Sequence, residues 1–408
     1  MKALLPVAGS GTRMFPLGVT TPKALIRILN KPLIEWTLET LVANHIDEVI
    51  VITSAGEFGQ QISEYVQKNI IITHKYPLSI KFLSQEQQLG TAHVIQTAAH
   101  LLQPDEEFLF LNGDDLYGPK NIAELLKSPT LAVIGKEVTD PEKWGIFKTN
   151  QQNRLEQLIE KPKDRVGNLA NIGCMKLNAQ IFSLYEQLEI SVRGEYELTD
   201  SVQLLAQTVP IKVIPATDYW IPIGYPWHLL EATEFFLKSQ ASKIEGKLDP
   251  STILNGSIVL PSSSSILPGC YLEGNILVGE NVTIGPSARI TGATVIGDNS
   301  VIGFSVDIIN SVIGLDASIT QLSYVGDSVL GNHVSIAAGT MIANSRHDHQ
   351  LIQTPVKGEV VTTPRSHLGA VIGDDVQLGV NTTIFPGRKI WPGLSTRPGQ
   401  IVDRDLLQ

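Results

Sequence analysis

The sequence predicts an α/β domain with a mostly parallel sheet, followed by a parallel β-helix. Two observations predict this division. Apolar runs alternate with helical patterns in the first part of the chain, and aliphatic residues then recur at every sixth position. We therefore expect an α/β domain over residues 1–247 and a parallel β-helix of hexapeptide repeats over residues 248–408.

Four short apolar runs in the first part are typical of buried strands. They occupy residues 3–7, 48–53, 80–83 and 107–111. The segments 32–42, 58–67 and 91–102 lie between them at helical spacing, which predicts helices on both faces of the sheet. A further helical pattern over 228–246 closes this domain, and 247–250 is predicted to be a linker. In such sheets ligands bind beyond the carboxyl ends of the strands.

The second part is a repeat of six residues with few charges. Residues 251–408 carry only 20 of the 72 charged side chains. Ten aliphatic residues follow each other at a spacing of six: Leu254, Leu260, Ile266, Leu272, Val278, Ile284, Ile290, Ile296, Ile302 and Ile308. One inward aliphatic per side of a triangular coil, with Gly or Asn at the corner, accounts for this period. The pattern resembles that of the hexapeptide-repeat families, which implies a left-handed β-helix. Residues 343–371 interrupt it, which predicts a protruding loop.

Composition excludes several classes of function. A net charge of −10 disfavours nucleic acid as a partner. Two cysteines cannot form a disulfide framework, and no apolar run is long enough to span a membrane. We expect a cytoplasmic protein that does not bind membranes and forms a homo-oligomer, with a trimer favoured, through the flat faces of the β-helix.

A glycine-rich segment follows the first strand. Gly9 and Gly11 let backbone amides approach an anion, and Thr12 adds a hydroxyl, so this turn predicts a phosphate cradle. Neither the nicotinamide fingerprint nor the P-loop pattern is complete here. A tight turn without a ligand remains the alternative. Arg13 and Lys23 favour the phosphate site, because two cations close after a glycine turn can neutralise a triphosphate; a solvated surface pair is the alternative for them.

The segment from residue 7 to residue 23 resembles the signature of the sugar-1-phosphate nucleotidylyltransferases. That pattern runs Gly-x-Gly-Thr-Arg, then Pro-Leu, then Pro-Lys, and Pro16-Leu17 and Pro22-Lys23 stand at the expected places. Further blocks that resemble the family follow in order: Gln85, Gln88-Leu89-Gly90-Thr91, Asn112-Gly113-Asp114, Trp144-Gly145, Glu160-Lys161-Pro162, Asn171-Ile172-Gly173 and the EYELTD run from Glu195 to Asp200. The resemblance implies a Rossmann-like mixed sheet.

The resemblance also implies a role for each matching residue. A nucleoside triphosphate and a sugar 1-phosphate are the expected partners, with UTP or dTTP as the nucleotide and Mg²⁺ as the cofactor. Arg13 and Lys23 are expected to be catalytic, and Asp114 to bind the metal. The expected nucleotide-binding residues are Ala8, Gly9, Gly11, Thr12, Gln85, Gly90 and Thr91, and the expected sugar-phosphate-binding residues are Gly145, Glu160, Lys161 and Asn171.

Two positions depart from the family pattern. Many relatives have Trp-x-Asp-x-Gly, in which the Asp is a second metal ligand, but this chain has Pro222 there. Two alternatives follow: Asp114 holds the ion together with water and substrate phosphates, as Mg²⁺ often accepts, or Asp115 or Asp218 helps as a second ligand. The run from Leu322 to Asp327 resembles the acetyltransferase domain of bifunctional uridylyltransferases that make UDP-N-acetylglucosamine, but Gln321 replaces the histidine that precedes it there.

Three hypotheses therefore remain open at this stage. The chain is a nucleotidylyltransferase, or a bifunctional enzyme that also acetylates, or a subunit that binds nucleotide without catalysis. Intact Gly9, Arg13, Lys23 and Asp114 favour catalysis.

We predict that acetyl transfer is lost or very weak. A glutamine does not titrate near neutral pH and cannot deprotonate an attacking amine as an imidazole does. The measurement is coenzyme A release from acetyl-CoA with glucosamine 1-phosphate. Release at the rates typical of the family would contradict this prediction.

Overall fold

The computed structural model describes residues 1–407, which fold into two compact units. The first unit comprises Met1–Ser10, Pro22–Leu25 and Leu33–Pro222. The second comprises Gly11–Thr21, Ile26–Pro32 and residues 223–407. Two short segments from the amino-terminal part of the chain thus belong to the second unit. The domain boundary at residue 247 stays a prediction.

The first unit contains eleven strands and five helices. The strands are β1 (Lys2–Pro6), β2 (Glu48–Ser54), β3 (Ser79–Gln85), β4 (Glu107–Leu111), β5 (Asp115–Tyr117), β6 (Leu131–Glu137), β7 (Gly145–Thr149), β8 (Leu155–Glu160), β9 (Leu169–Asn178), β10 (Ile211–Pro215) and β11 (Trp220–Pro222). The helices are α1 (Leu33–Ala43), α2 (Glu57–Val66), α3 (Thr91–Gln96), α4 (Pro119–Lys127) and α5 (Leu198–Leu205).

Nine of these strands form one mixed sheet, as the family resemblance implies. Its order is β8-β7-β9-β4-β1-β2-β3, and β6 pairs with β9 and β10. The strands β4, β1, β2 and β3 are parallel, so their carboxyl ends lie at one edge. The strand β9 runs antiparallel to β4 and β6 and makes the sheet mixed. The small pair β5–β11 stands apart from this sheet.

Alternate residues of the central strands pack into two separate cores. Leu4 and Phe110 point to one face with residues of α3 and α5, whereas Leu5 and Leu111 point to the other with residues of α1, α2 and α4. Because side chains alternate along a strand, both faces need apolar residues. This is why the predicted strands are continuous apolar runs without polar alternation.

The second unit is a parallel β-helix with one helix, α6 (Trp227–Leu237), beside it. Its coil strands are Lys243–Ile244, Lys247–Leu248, Ile253–Leu260, Ser265–Ile266, Tyr271–Val278, Thr283–Ile284, Arg289–Ile296, Val301–Ile302, Asp307–Ile309, Val312–Ile313, Ser318–Ile319, Tyr324–Gly326, Val329–Leu330, Ser335–Ile336, Met341–Ile342, Val371–Ile372, Gln377–Leu378, Thr383–Ile384, Lys389–Ile390 and Ile401–Val402. The handedness of the coil stays a prediction. Within residues 1–407, no helix is long and apolar enough to cross a membrane.

The aliphatic residues of the six-residue repeat stack in columns inside the β-helix. One column contains Leu272, Ile290, Ile308, Val325, Ile342, Ile384 and Val402, each paired in register with the next. All seven side chains are buried. Three six-residue sides make one coil, so the strand partners lie 18 residues apart where the repeat is regular.

Three local predictions differ from the structure. The helix predicted over 228–246 ends at Leu237, because Lys243–Ile244 already pairs with the β-helix, and α6 belongs to the second unit. The predicted linker 247–250 begins with the strand Lys247–Leu248. The interruption at 343–371 contains an antiparallel hairpin of Gln353–Val356 and Glu359–Thr362.

We predict that Ile308→Ala lowers the free energy of unfolding of the β-helix by about 2–5 kcal/mol, because it leaves a cavity in the aliphatic column. Ile253→Ala is the matched control, since that side chain is 58% exposed. Urea unfolding followed by circular dichroism measures both variants. Equal midpoints for the two would contradict the stacked column.

Candidate functional site

In the first unit, the structure brings Lys23 and Asp114 into direct contact. The Lys23 Nζ atom lies 2.7 Å from Asp114 Oδ2. The Lys23 side chain is only 11% exposed, whereas Asp114 is 49% exposed. Lys23 begins a 3₁₀ turn, and Asp114 follows β4 at the carboxyl edge of the parallel strands. A shielded cation therefore contacts a carboxylate that solvent and ligands can reach.

Gly113 is in the turn after β4 and precedes Asp114 directly. The Gly113 backbone N–H donates a hydrogen bond to the carbonyl of Pro6 at 3.1 Å. A Cβ atom at Gly113 would lie 2.3 Å from that same oxygen. No side chain fits there, so Gly113 lets the β4 turn pass against the end of β1.

Asp115 is a buried structural group in this structure. Its Oδ2 atom accepts hydrogen bonds from the indole N–H of Trp220 at 3.0 Å and the hydroxyl of Tyr117 at 3.4 Å. Burial, together with the charge of Asp114, raises the pKa of Asp115 to about 7. Pro222 lies opposite Asp115 in the β5–β11 register.

Asp218, the other candidate for a second metal ligand, caps a helix. Its Oδ2 atom accepts from the backbone N–H of Lys120 at 3.2 Å, in the first turn of α4. Its Oδ1 atom accepts from the N–H of Tyr219 at 2.8 Å. A carboxylate at a helix N-terminus is stabilised by the unpaired amides and the helix dipole.

The segment after β3 folds back onto the glycine-rich segment. The Gln88 amide donates to the carbonyl of Ala8 at 3.0 Å. Gln85 is buried, and its Nε2 atom lies 3.0 Å from Nδ1 of His93 on α3. A Cβ at Gly9 would meet nothing within 4 Å, so the space beside this glycine is open.

Gly90 and Thr91 begin α3 against the EYELTD run. Gly90 has φ of 105°, and a Cβ there would lie 2.5 Å from the Tyr196 carbonyl oxygen. The hydroxyl of Thr91 accepts from the backbone N–H of Leu198 at 2.9 Å. These contacts fix the two residues beside a block that the resemblance assigns to the sugar.

Three of the four predicted sugar-phosphate residues lie together. Gly145 pairs with Glu160 across β7 and β8, and a Cβ at Gly145 would lie 2.9 Å from Glu160 Oε2. The Lys161 backbone N–H donates to the carbonyl of Trp144 at 2.9 Å. Burial raises the pKa of the Glu160 carboxyl group. Asn171 lies on β9, where its Oδ1 atom accepts from the N–H of Gly173 at 2.9 Å.

Arg193 is a charged neighbour of this cluster that the sequence analysis missed. Its guanidinium group donates to both carboxylate oxygens of Glu197, at 2.9 and 2.5 Å. It also lies 3.7 Å from Glu160 Oε1. No motif marks Arg193, because its partners lie in separate blocks of the sequence.

In the second unit, Arg13 lies in the segment Gly11–Thr21, here called the Gly11–Thr21 loop. Gly11 has φ of 61° and precedes a 3₁₀ turn that contains Thr12 and Arg13. The Arg13 guanidinium carbon lies 5.5 Å from the ring centroid of Tyr225. Tyr225 stacks in turn on Trp227, the first residue of α6, at 4.4 Å. Tyr225 was also missed, because nothing in the sequence links it to Arg13.

Comparison with protein families identifies the chain. A family model described as "Nucleotidyl transferase" matches residues 2–239, which is more than half of the chain. The chain belongs to the nucleotidyl transferase family. A second model, described as "GMPPB C-terminal domain", matches residues 254–361 of this nucleotidyl transferase.

Two curated relatives match this nucleotidyl transferase along its full length. The "Bifunctional sugar-1-phosphate nucleotidylyltransferase/acetyltransferase" of Sulfurisphaera tokodaii is 36% identical, over 100% of this chain and 98% of the relative. The "Bifunctional protein GlmU" of Methanococcus maripaludis strain S2 is also 36% identical, over 100% of this chain and 96% of the relative.

Solved structures resemble part of the nucleotidyl transferase in fold. A crystal structure of UDP-glucose pyrophosphorylase with UDP-glucose superposes with a TM-score of 0.53 at 23% identity, over 59% of this chain and 99% of that chain. A putative glucose-1-phosphate thymidylyltransferase from Bacillus anthracis gives a TM-score of 0.50 at 23% identity, over 57% of this chain and 93% of that chain.

We predict that Lys23→Ala lowers kcat/KM for nucleotidyl transfer by a factor of about 10²–10³. Loss of a preorganised charge that stabilises the transition state costs about 3 kcal/mol. Steady-state pyrophosphate release measures the effect. Lys31→Ala, which removes a lysine eight positions later in the sequence and outside the predicted site, is the control. Unchanged turnover in Lys23→Ala would remove this residue from the mechanism.

Proposed function

We propose that the chain transfers a nucleotidyl group from UTP or dTTP to a sugar 1-phosphate, which gives an NDP-sugar and pyrophosphate. The contact between Lys23 and Asp114 at the carboxyl edge of the sheet is the observation that carries this proposal. The name of the Sulfurisphaera tokodaii relative, a sugar-1-phosphate nucleotidylyltransferase/acetyltransferase, supports the sugar 1-phosphate as the acceptor.

The reaction is an in-line displacement at the α-phosphorus. A phosphate oxygen of the sugar 1-phosphate forms the new bond, and the bond from the α-phosphorus to the bridging oxygen of the β-phosphate breaks. The chain must align two anions and neutralise their charge, and it needs no covalent nucleophile. Lys23 stabilises the charge at the α-phosphate, and Arg13 binds the leaving pyrophosphate. The backbone amides near Gly9 and Gly11 orient the triphosphate.

Asp114 is the residue that would hold Mg²⁺. Its carboxylate is a hard oxygen donor, and half of its surface is open, which fits this ion. Within residues 1–407 no cluster of three His, Cys, Asp or Glu residues could hold a metal ion. Mg²⁺ commonly keeps waters and substrate phosphates as its other ligands. When bound, the ion would neutralise phosphate charge, and Asp114 would orient it from the protein side.

Recognition of the two substrates falls to separate residues of the first unit. Glu160 accepts hydrogen bonds from sugar hydroxyls, and Lys161 binds the sugar phosphate. Arg193, 3.7 Å from Glu160, favours the charged form of that carboxylate against the effect of burial. On the nucleotide side, Gln85 and the backbone of Gly90 meet the pyrimidine edge. The contact with His93 orients the Gln85 amide group.

A panel of substrates tests the proposed function. Each of UTP, dTTP, ATP and GTP is incubated with Mg²⁺ and N-acetylglucosamine 1-phosphate, glucosamine 1-phosphate or glucose 1-phosphate, and pyrophosphate release is measured. We expect release with a pyrimidine triphosphate and at least one sugar phosphate, and none without the sugar. Nucleotide binding without release from any combination would favour a non-catalytic subunit.

Acetyl transfer is the second candidate function, and a cavity in the second unit favours it. The cavity has a volume of about 630 Å³, and its lining includes Tyr324, Asn344 and His347. Both relatives described above have names that include the word bifunctional. The lining contains one imidazole, that of His347, which is the candidate for the base that the family's histidine supplies at the position of Gln321. Coenzyme A release that His347→Ala abolishes would establish this second activity.

A further inference from the structure

The Gly11–Thr21 loop carries Arg13, and three contacts within the second unit hold it. Arg13 lies over Tyr225, as described above. The ring of Phe15 meets the ring of Trp391 edge-on, with centroids 6.5 Å apart. The loop ends at two threonines whose hydroxyls both bind Asp374, a residue of the β-helix. The third contact links the loop to a carboxylate far away in the sequence.

Asp374 divides its two oxygens between the coil and the loop. Its Oδ1 atom accepts from the backbone N–H of Asn332, in the preceding coil, at 2.7 Å. Its Oδ2 atom accepts from the hydroxyl of Thr20 at 2.6 Å and from the hydroxyl of Thr21 at 3.1 Å. Asp374 is buried, so these charge-assisted hydrogen bonds are shielded from water.

Asp298 occupies the same position in its coil as Asp374 does. It follows Ile296-Gly297 just as Asp374 follows Ile372-Gly373. Its Oδ1 atom accepts from the backbone N–H of Glu280, in the preceding coil, at 2.8 Å. A Cβ at Gly279 would lie 2.4 Å from Asp298 Oδ1, and a Cβ at Gly331 would lie 2.4 Å from Asp374 Oδ1. The coil therefore uses one oxygen at this corner, and the second oxygen of Asp374 serves the loop.

We propose that Asp374 is a positioning residue for nucleotidyl transfer. It fixes the end of the Gly11–Thr21 loop, and thereby limits the conformations in which Arg13 meets the phosphates. This inference rests on the proposed function. Ordering a loop before the substrate binds removes an entropic cost from binding and from the transition state. The β-helix thus contributes a residue that sets the efficiency of the phosphate-binding loop.

The first test compares Asp374→Ala with Asp298→Ala. Both variants remove a carboxylate that accepts a backbone hydrogen bond from the preceding coil, so we expect both to lose thermal stability, Asp374→Ala more because it also loses the two threonine contacts. Only Asp374→Ala removes the contact that fixes the end of the loop, so only it should lower kcat/KM for the nucleoside triphosphate, by about tenfold. The KM for the sugar 1-phosphate should stay within about twofold of the wild type in both. Equal kinetic effects of the two variants would overturn the inference.

The second test changes the loop and leaves the β-helix intact. Thr20→Val with Thr21→Val removes both hydroxyls, and Thr20→Ser with Thr21→Ser keeps them. We expect the valine variant to match Asp374→Ala and the serine variant to retain the wild-type kcat/KM. In the Asp374→Ala variant, the two valine changes should lower kcat/KM little further, because all three changes remove the same contact. Full additivity, or an unaffected valine variant, would contradict the proposal.

Hydrogen exchange separates a failure of this inference from a failure of the proposed function. Peptides that cover residues 11–21 should exchange faster in Asp374→Ala than in Asp298→Ala, whether or not the wild type is active. If the exchange difference is present but the wild type releases no pyrophosphate, the proposed function is overturned, and so is the catalytic part of the inference. Wild-type activity without an exchange difference overturns the positioning role alone.

Discussion

The close pairing of a lysine and an aspartate at the carboxyl edge of a parallel sheet is the constraint on which the rest of the site depends. Lys23 is shielded and Asp114 is open, at a separation of 2.7 Å. Two opposite charges held this close by backbone geometry suit a ligand that carries anionic oxygens and a cation together. The turn that presents Asp114 exists only because Gly113 can pass against Pro6. Strand order, glycine placement and charge therefore act together at one edge.

Periodicity made the fold predictable. The four early apolar runs became parallel strands, and the spacing of six became the stacked column that contains Ile290 and Ile308. The wrong predictions concern segments whose structure depends on residues elsewhere in the chain. The helix predicted over 228–246 ends at Leu237, and Lys243–Ile244 pairs with a β-helix strand instead, a pairing that a helical period cannot indicate. Sequence reasoning also had no signal for the hairpin inside the 343–371 interruption, since its two strands are short.

The candidate site was predictable only in its motifs. The structure brings Lys23 into contact with Asp114 and pairs Gly145 with Glu160. All four residues belong to motifs that the sequence shows, and ligands of such sheets bind at the strand ends. It adds His93 beside Gln85 and Tyr225 beneath Arg13, which belong to no motif and meet their partners only through tertiary packing. The contact between Asp374 and the two threonines spans more than 350 residues of sequence, and one chain alone gives no period or spacing that could predict it.

A crystal structure with Mn²⁺ and α,β-methylene-UTP, which cannot release pyrophosphate, tests the account most directly. Anomalous scattering locates the metal, and the refined distances locate the α-phosphate. The account predicts a metal peak on the Asp114 carboxylate and Lys23 Nζ at about 3 Å from an α-phosphate oxygen. A triphosphate bound away from both residues, with the contact between Lys23 and Asp114 intact and no metal on Asp114, would contradict it.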